Sequence, residues 1–284
     1  MQKVKLDRRG AIAAAALVAA LGVVTVIAFT SRSRAADDTS ITVNVPPAVN
    51  DRIYASPTAE GRPIVVIDAG HGGRDPGATS VSGEVHEKDL TLALAQELRD
   101  ELVKRGRVRV AMSRNDDSYL DLEQRAAVAR RLNAAMFVSL HMDSAPNPMA
   151  RGASIYSLSD VASDAEAARF AAIENEGAMT GEGNGSVEAM LGDLAMQTQM
   201  SESADLAARL VNKSAGRFEL RPDPHRFAAF HVLRRADTPA VLFEAGYLSN
   251  ADDELLLRSP QHRAAIVLAL AQAIEADIAT RSHR

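Results

Sequence analysis

The sequence contains no cysteine and no tryptophan, and only 4% of its residues are aromatic. Without thiols there is no disulfide scaffold, no thiolate nucleophile and no cysteine-ligated zinc or iron–sulfur site. Any metal site must therefore use histidine and carboxylates. The scarcity of rings leaves little from which to build stacking platforms for bases or sugars. Positive charge is not in excess either: 32 basic against 37 acidic residues give a formal net charge of −5, so bulk electrostatics offer no basis for nucleic-acid binding. What remains is ordinary for a folded protein. The 284 residues are 46% hydrophobic and 24% charged, enough for one or two domains with a sizeable core.

One long apolar run stands near the start. Lys3, Lys5, Arg8 and Arg9, against Asp7 alone, precede the uncharged stretch Gly10–Thr30. Its apolar core, Ala11–Phe29, would span about 28 Å as a helix, close to the hydrocarbon thickness of a bilayer. Residues 1–35 are read as an export signal or a membrane anchor. Ser33-Arg34-Ala35 supplies a small-x-small cleavage site; left uncut, the run would stay in the membrane with its basic end inside. The Arg8-Arg9 pair resembles a twin-arginine signal, the alternative being a Sec signal that these charges merely orient. Either route leads to the periplasm or cell envelope, with the membrane touched only through this segment. Residues 36–62, with Pro46, Pro47 and Pro57, read as a flexible linker holding a short alternation at Ile41–Val45 that suits an edge strand. The folded domain is expected over residues 63–284.

Within that domain strands alternate with helices. Pro63–Ile67 is a continuous β-branched run that suits a buried central strand. It stops at a glycine-dense loop, Asp68-Ala69-Gly70-His71-Gly72-Gly73, which forces a tight turn beside His71. Leu90, Leu94, Leu98 and Leu102 mark an amphipathic helix ended by Gly106. Strands are expected at Val108–Met112, at Ala135–Leu140 ending in His141, at Gly152–Leu158, and at Pro239–Phe243 ending in Glu244. Helices are expected at Leu122–Leu132 and Gln261–Ile278. This pattern specifies an α/β fold: a single twisted mixed β-sheet flanked by helices on both faces. Sites in such folds gather beyond the carboxyl ends of the strands, where His71, His141 and Glu244 are placed.

Two neutral imidazoles and a carboxylate form an ordinary protein set for catalytic zinc, which keeps one position open for water. A separate carboxylate can then handle the proton during amide hydrolysis. Spacing alone leaves the third ligand open among Glu84, His86 and Glu87, which share one short loop. Arg74 and Arg114 are candidates for binding anionic substrate groups, with a solvated surface position as the alternative. His86, His225, His231, His262 and His283 are read as structural or solvent-facing.

Four motifs in order carry a family resemblance. They are Ile67–Ala78 (with its Gly-His-Gly-Gly-Arg-Asp-Pro-Gly), Glu87-Lys88-Asp89, Ser139-Leu140-His141-Met142-Asp143 and Phe243-Glu244-Ala245-Gly246-Tyr247-Leu248-Ser249-Asn250. Together they resemble the zinc-dependent N-acetylmuramoyl-L-alanine amidases of the amidase-3 type, over nearly the whole folded region. The resemblance implies that His71, Glu87 and His141 hold Zn2+ and that Glu244 is the catalytic glutamate. Ala69 and Met142 depart from the usual pattern without touching a ligand. The implied activity is hydrolysis of the amide between the lactyl group of N-acetylmuramic acid and L-alanine in peptidoglycan. Rival functions are a zinc peptidase or carboxypeptidase acting on wall stem peptides, and a non-catalytic wall-binding regulator.

Residues from about 160 to 201 form an insertion whose first part the core of a compact amidase of this type does not need, and loops of this length are usually functional or disordered. Helices are expected at Ser163–Asn175 and Ala189–Asn212, with glycines between 181 and 185 as a hinge. The layout resembles division-associated amidases, in which an inserted helix covers the zinc until an activator removes it. That resemblance implies a role in septum splitting, a LytM-type activator as partner, and Glu174 as an inhibitory metal ligand. Glu176 is its nearest competitor, and Glu166, Glu182 and Glu188 are the other glutamates of the insertion.

Overall fold

The structure, a computed structural model, describes residues 51–176 and 187–281. The export segment, the Ile41–Val45 alternation and the 181–185 hinge lie outside the described residues. Among those described, no helix is long and apolar enough to cross a membrane.

Seven strands form one mixed sheet: β1 (Ile53–Tyr54), β2 (Ile64–Ala69), β3 (Arg109–Met112), β4 (Met136–Asp143), β5 (Ala153–Leu158), β6 (Leu220–Ala228) and β7 (Ala240–Tyr247). Their spatial order is β1-β3-β2-β4-β7-β5-β6. The centre is parallel, because β2 pairs with β3 and β4, and β4 with β7. The antiparallel pairings are those of β1 with β3 and of β5 with β7. Strands β2, β4, β5 and β7 are buried along their whole length, so they read as apolar runs instead of alternations.

Their side chains nevertheless alternate between two cores. On one face Val65, Ile67, Val138, Leu140, Val241 and Phe243 pack with α1 (Glu87–Arg105), α4 (Val187–Ser214) and α7 (Pro260–Arg281). On the other, Val66, Phe137 and Leu242 pack with α2 (Leu122–Arg131), α3 (Ala165–Glu174) and α5 (His231–Arg234). The remaining helix is α6 (Ala251–Arg258). Helix ends follow local chemistry. Gly106 closes α1 in the left-handed conformation, with φ 67°. Asp121 caps α2 in a capping box with Gln124, and Asp164 caps α3 through the Ala167 N–H.

Three expectations need correction. The linker does not run free to residue 62: Ile53–Tyr54 pairs with β3, and Ala59 is fully buried. Strand β4 continues through His141 to Asp143, and β7 continues through Glu244 to Tyr247, so both residues sit within strands and not beyond them. Strand β6 has no counterpart among the expected strands: it carries Pro222 and Pro224, which a sheet edge tolerates, since no neighbour needs the missing N–H. The two helices of the insertion lie within two residues of their expected bounds.

Candidate metal and catalytic centre

Parallel pairing of β4 with β7 sets His141 opposite Glu244 in register. β2 delivers the loop that carries His71, and Glu87 is the first residue of α1. These elements bring both imidazoles to one carboxylate. Glu87 Oε2 lies 3.0 Å from His71 Nε2, and Glu87 Oε1 lies 3.0 Å from His141 Nδ1. Neither Glu87 oxygen caps its own helix. Oε1 also accepts from the Met142 N–H at 3.0 Å, and Oε2 from the Ala78 N–H at 2.9 Å.

Close approach demands glycine at two positions. A Cβ on Gly70 would stand 2.5 Å from the His141 ring, and one on Gly77 (φ +63°) 2.5 Å from Glu87 Oε2. His71 itself has φ 58°, an uncommon conformation for a residue bearing a Cβ, placed where the site needs its ring. Its Nδ1 lies 2.9 Å from Asp75 Oδ2. Asp75 is held below its ordinary pKa, first by that contact, so it accepts and Nδ1 carries the hydrogen. Nε2 is left facing the cluster, buried and 3.0 Å from Glu87 Oε2. Carboxylate-oriented histidines of this kind are typical metal ligands. Asp75 was not singled out in the sequence, although its i+4 spacing from His71 was the available signal.

Glu174, at the last turn of α3, enters the same cluster. Its Oε2 lies 3.3 Å from His141 Nδ1 and 3.8 Å from His71 Nε2. Donor atoms of His71, His141 and Glu174 all lie within 4.8 Å of one another. Glu166 points elsewhere, pairing with Arg221 at 2.7 Å, and Glu176 is exposed. Glu182 lies outside the described residues, and the side chain of Glu188 is likewise not described.

Buried carboxylates dominate the electrostatics. Burial works against charge on His71, but Glu87, Asp75 and Glu174 overcome it and push its pKa up to about 11. Glu87 is buried yet driven far below the usual carboxylate range by the two imidazoles. Glu244 is raised well above that range, by burial and then by Asp143, Glu87 and Glu174. Its side chain is fully buried, and neither oxygen has a protein partner. Burial also lifts Asp143 to about 7. The pocket therefore calls for positive charge, and two imidazoles with carboxylates fit a divalent transition metal better than the oxygen-only sets of calcium or magnesium.

A cleft of about 860 Å³ opens onto the cluster, lined by His71, Glu87, His141, Asp143 and Glu174, and by Arg74 and Tyr119 at its side. Arg74 is exposed and stacks on Tyr119, its guanidinium 4.2 Å from the ring centroid. Arg114 matches neither of its expectations: it is 1% exposed, within the fold. None of the other described histidines reaches the cluster. His225 bonds Ser157, His86 lies against Thr79, and His262 packs on Phe218. His283 lies outside the described residues.

Residues 65–276 match the family described as N-acetylmuramoyl-L-alanine amidase. The chain belongs to the N-acetylmuramoyl-L-alanine amidase family. It is 34% identical over 225 residues to N-acetylmuramoyl-L-alanine amidase AmiC of Neisseria meningitidis, covering 77% of this chain and 53% of that one. To amidase AmiA of Escherichia coli it is 30% identical over 220 residues, covering 75% of each. Among solved structures, the catalytic domain of the amidase CwlV from Bacillus (Paenibacillus) polymyxa is similar, with TM-score 0.55 and 28% identity over 75% of this chain and 96% of that one. The chain spans about half the length of the relatives AmiC and AmiB. The amidase fold is thus a single mixed sheet between two helical layers, with its histidine–glutamate cluster at one end of the central strands.

Proposed function

We propose that the chain is an exported zinc amidase that cleaves the amide between the lactyl group of N-acetylmuramic acid and L-alanine in peptidoglycan. The convergence of His71 and His141 on Glu87, each at 3.0 Å, in a member of this family is the observation that carries the proposal. These three residues would hold the metal, and zinc there would polarise the amide carbonyl and lower the pKa of water. Glu244, with both oxygens unpartnered, is assigned the proton that passes to the departing amine. The basic N-terminus and the apolar run behind it support export. The experiment is digestion of purified peptidoglycan with zinc-loaded protein, followed by mass spectrometry of the products. Intact stem peptides bearing a free L-alanine amine are expected, and a chelator should abolish them. Cuts between amino acids would favour a stem-peptide peptidase; binding without products by wild type and by Glu174→Ala alike would favour a wall-binding regulator.

Regulation belongs to the same proposal. With Glu174 among the ligands, α3 would set a carboxylate where the substrate carbonyl has to reach the cluster. The opposite end of α3 is tied down by Glu166 on Arg221 and by Asp164 on Arg226. Asn175 fixes the plugged end through the Ala229 carbonyl and the His231 N–H, both at 2.7 Å. A partner of the LytM type would favour the open form only by binding it more tightly than the closed one, and septum splitting is the setting in which such control is useful. Glu174→Ala should raise basal hydrolysis of purified wall at saturating zinc, about tenfold for each 1.4 kcal/mol removed from the closed state. Glu176→Ala, at an exposed position, should leave it unchanged. Equal rates for wild type and Glu174→Ala would remove the plug.

A further inference from the structure

The loop that carries His71 has an unusual fastening. Of its successive carbonyls, that of Ala69 accepts from Arg114 Nε at 2.9 Å and Arg125 Nη1 at 2.7 Å. The Gly70 carbonyl accepts from Arg114 Nη2 at 2.8 Å and from Thr91 Oγ1 at 2.9 Å. Those of His71 and Gly73 accept from Arg125 Nη2 at 2.6 Å and Lys88 Nζ at 2.9 Å. The cations come from three separate parts of the fold: the start of α1, the loop after β3, and α2.

Arg114 differs from the other two. Arg125 is neutralised by Asp68 at 3.0 Å and Lys88 by Asp117 at 2.7 Å. The hydrogen bonds of Arg114 go to backbone carbonyls and to Thr91 Oγ1. A buried guanidinium bonded this way is costly unless its geometry is fully used. Here the fork spans two segments. Nη2 reaches the Gly70 carbonyl at 2.8 Å and the Lys88 carbonyl at 2.9 Å, so one nitrogen joins the residue before His71 to the residue after Glu87. Thr91, fully buried on the next turn of α1, bonds the same Gly70 carbonyl and accepts from Arg114 Nη2 at 3.2 Å.

We infer that Arg114 is a positioning residue for the metal centre: its guanidinium fixes the separation of His71 from Glu87 before any metal arrives. This rests on the ligand assignment proposed above. Lysine cannot replace it, because its single nitrogen could not also keep the Nε bond to the Ala69 carbonyl and the Nη1 bond to the Asp116 carbonyl that hold the guanidinium in its plane. Outer partners of metal ligands typically change metal affinity by 10–100-fold.

The experiment measures zinc affinity of the metal-free full chain against a chromophoric chelator, beside thermal unfolding of the same samples. Wild type, Arg114→Lys, Thr91→Val and Arg263→Lys are compared. Arg263 pairs with Glu97 at 2.8 Å on α7, distant from the loop, and serves as the control for loss of a part-buried arginine. Arg114→Lys is expected to weaken zinc binding by roughly 10–100-fold, and Thr91→Val by a smaller factor in the same direction. Arg263→Lys should shift unfolding alone. Unaltered zinc affinity in folded Arg114→Lys would overturn the inference. Should that variant not fold, Thr91→Val decides alone, and wild-type affinity in it would overturn the inference equally. Failure of wild type to bind zinc would instead strike the ligand assignment.

Discussion

Glu244→Gln is expected to lower turnover by roughly 10²–10⁴, the range that a positioned general acid or base contributes, while zinc content stays at the wild-type level. The substitution keeps volume and hydrogen-bonding capacity but removes the titratable proton. Glu244 is a sensitive test because no side chain among the described residues satisfies it. Both oxygens are buried, and that burial, followed by the neighbouring carboxylates, drives its pKa well up. A residue that merely braced the strand would hold a partner. Metal analysis and hydrolysis of purified wall, run on one preparation, separate the roles: near-normal hydrolysis would remove Glu244 from proton transfer, and lost zinc would make it a ligand.

Removal of a ligand should act in the reverse order. His71→Ala is expected to cost more zinc affinity than the roughly 10–100-fold typical of outer partners, and activity should fall with the metal. The pH dependence follows from the same ring. His71 is charged in the metal-free protein up to a pKa of about 11, whereas a coordinating imidazole must be neutral. At pH 7 zinc binding must therefore expel a proton from His71, and zinc affinity should rise with pH. In the metal-free protein the sign is opposite: the raised pKa contributes stability that is complete below the ordinary value of 6.5 and is lost as pH climbs towards 11. Calorimetry of zinc binding in buffers of different ionisation enthalpy measures the released protons, and their absence at pH 7 would contradict a charged His71.

Legibility in the sequence tracked how locally each feature is determined. The central strands were visible because burial on both faces forces nearly continuous apolar runs, β-branched throughout in Ile64–Ile67 and interrupted only by Ser139 in Met136–Leu140. Helix α1 was visible through its leucine spacing and its terminal Gly106. Strand β1 was hidden because two residues carry no periodicity, and β6 because prolines mask a pairing that only an edge permits. The cluster itself became readable through motif order, not spacing, which left Glu84, His86 and Glu87 equal until the fold turned Glu87 alone towards both rings. Arg114 was misjudged for a physical reason. Charge in sequence reads as surface, and the carbonyls that make its burial tolerable come from residues up to 45 positions away.

The division of the site between strands and connecting segments has a consequence for native-state fluctuations. His141 and Glu244 ride on neighbouring central strands, whose amides open to exchange only at a cost approaching that of global unfolding. His71 sits on a turn, and Glu87 and Glu174 on helix ends, elements that open at far lower cost. One half of the centre is thus as durable as the molecule, whereas the other half owes its order to side chains that grip it from outside. Changes of temperature or denaturant well short of unfolding would dismantle that second half first, leaving a folded sheet that still presents His141 and Glu244 side by side.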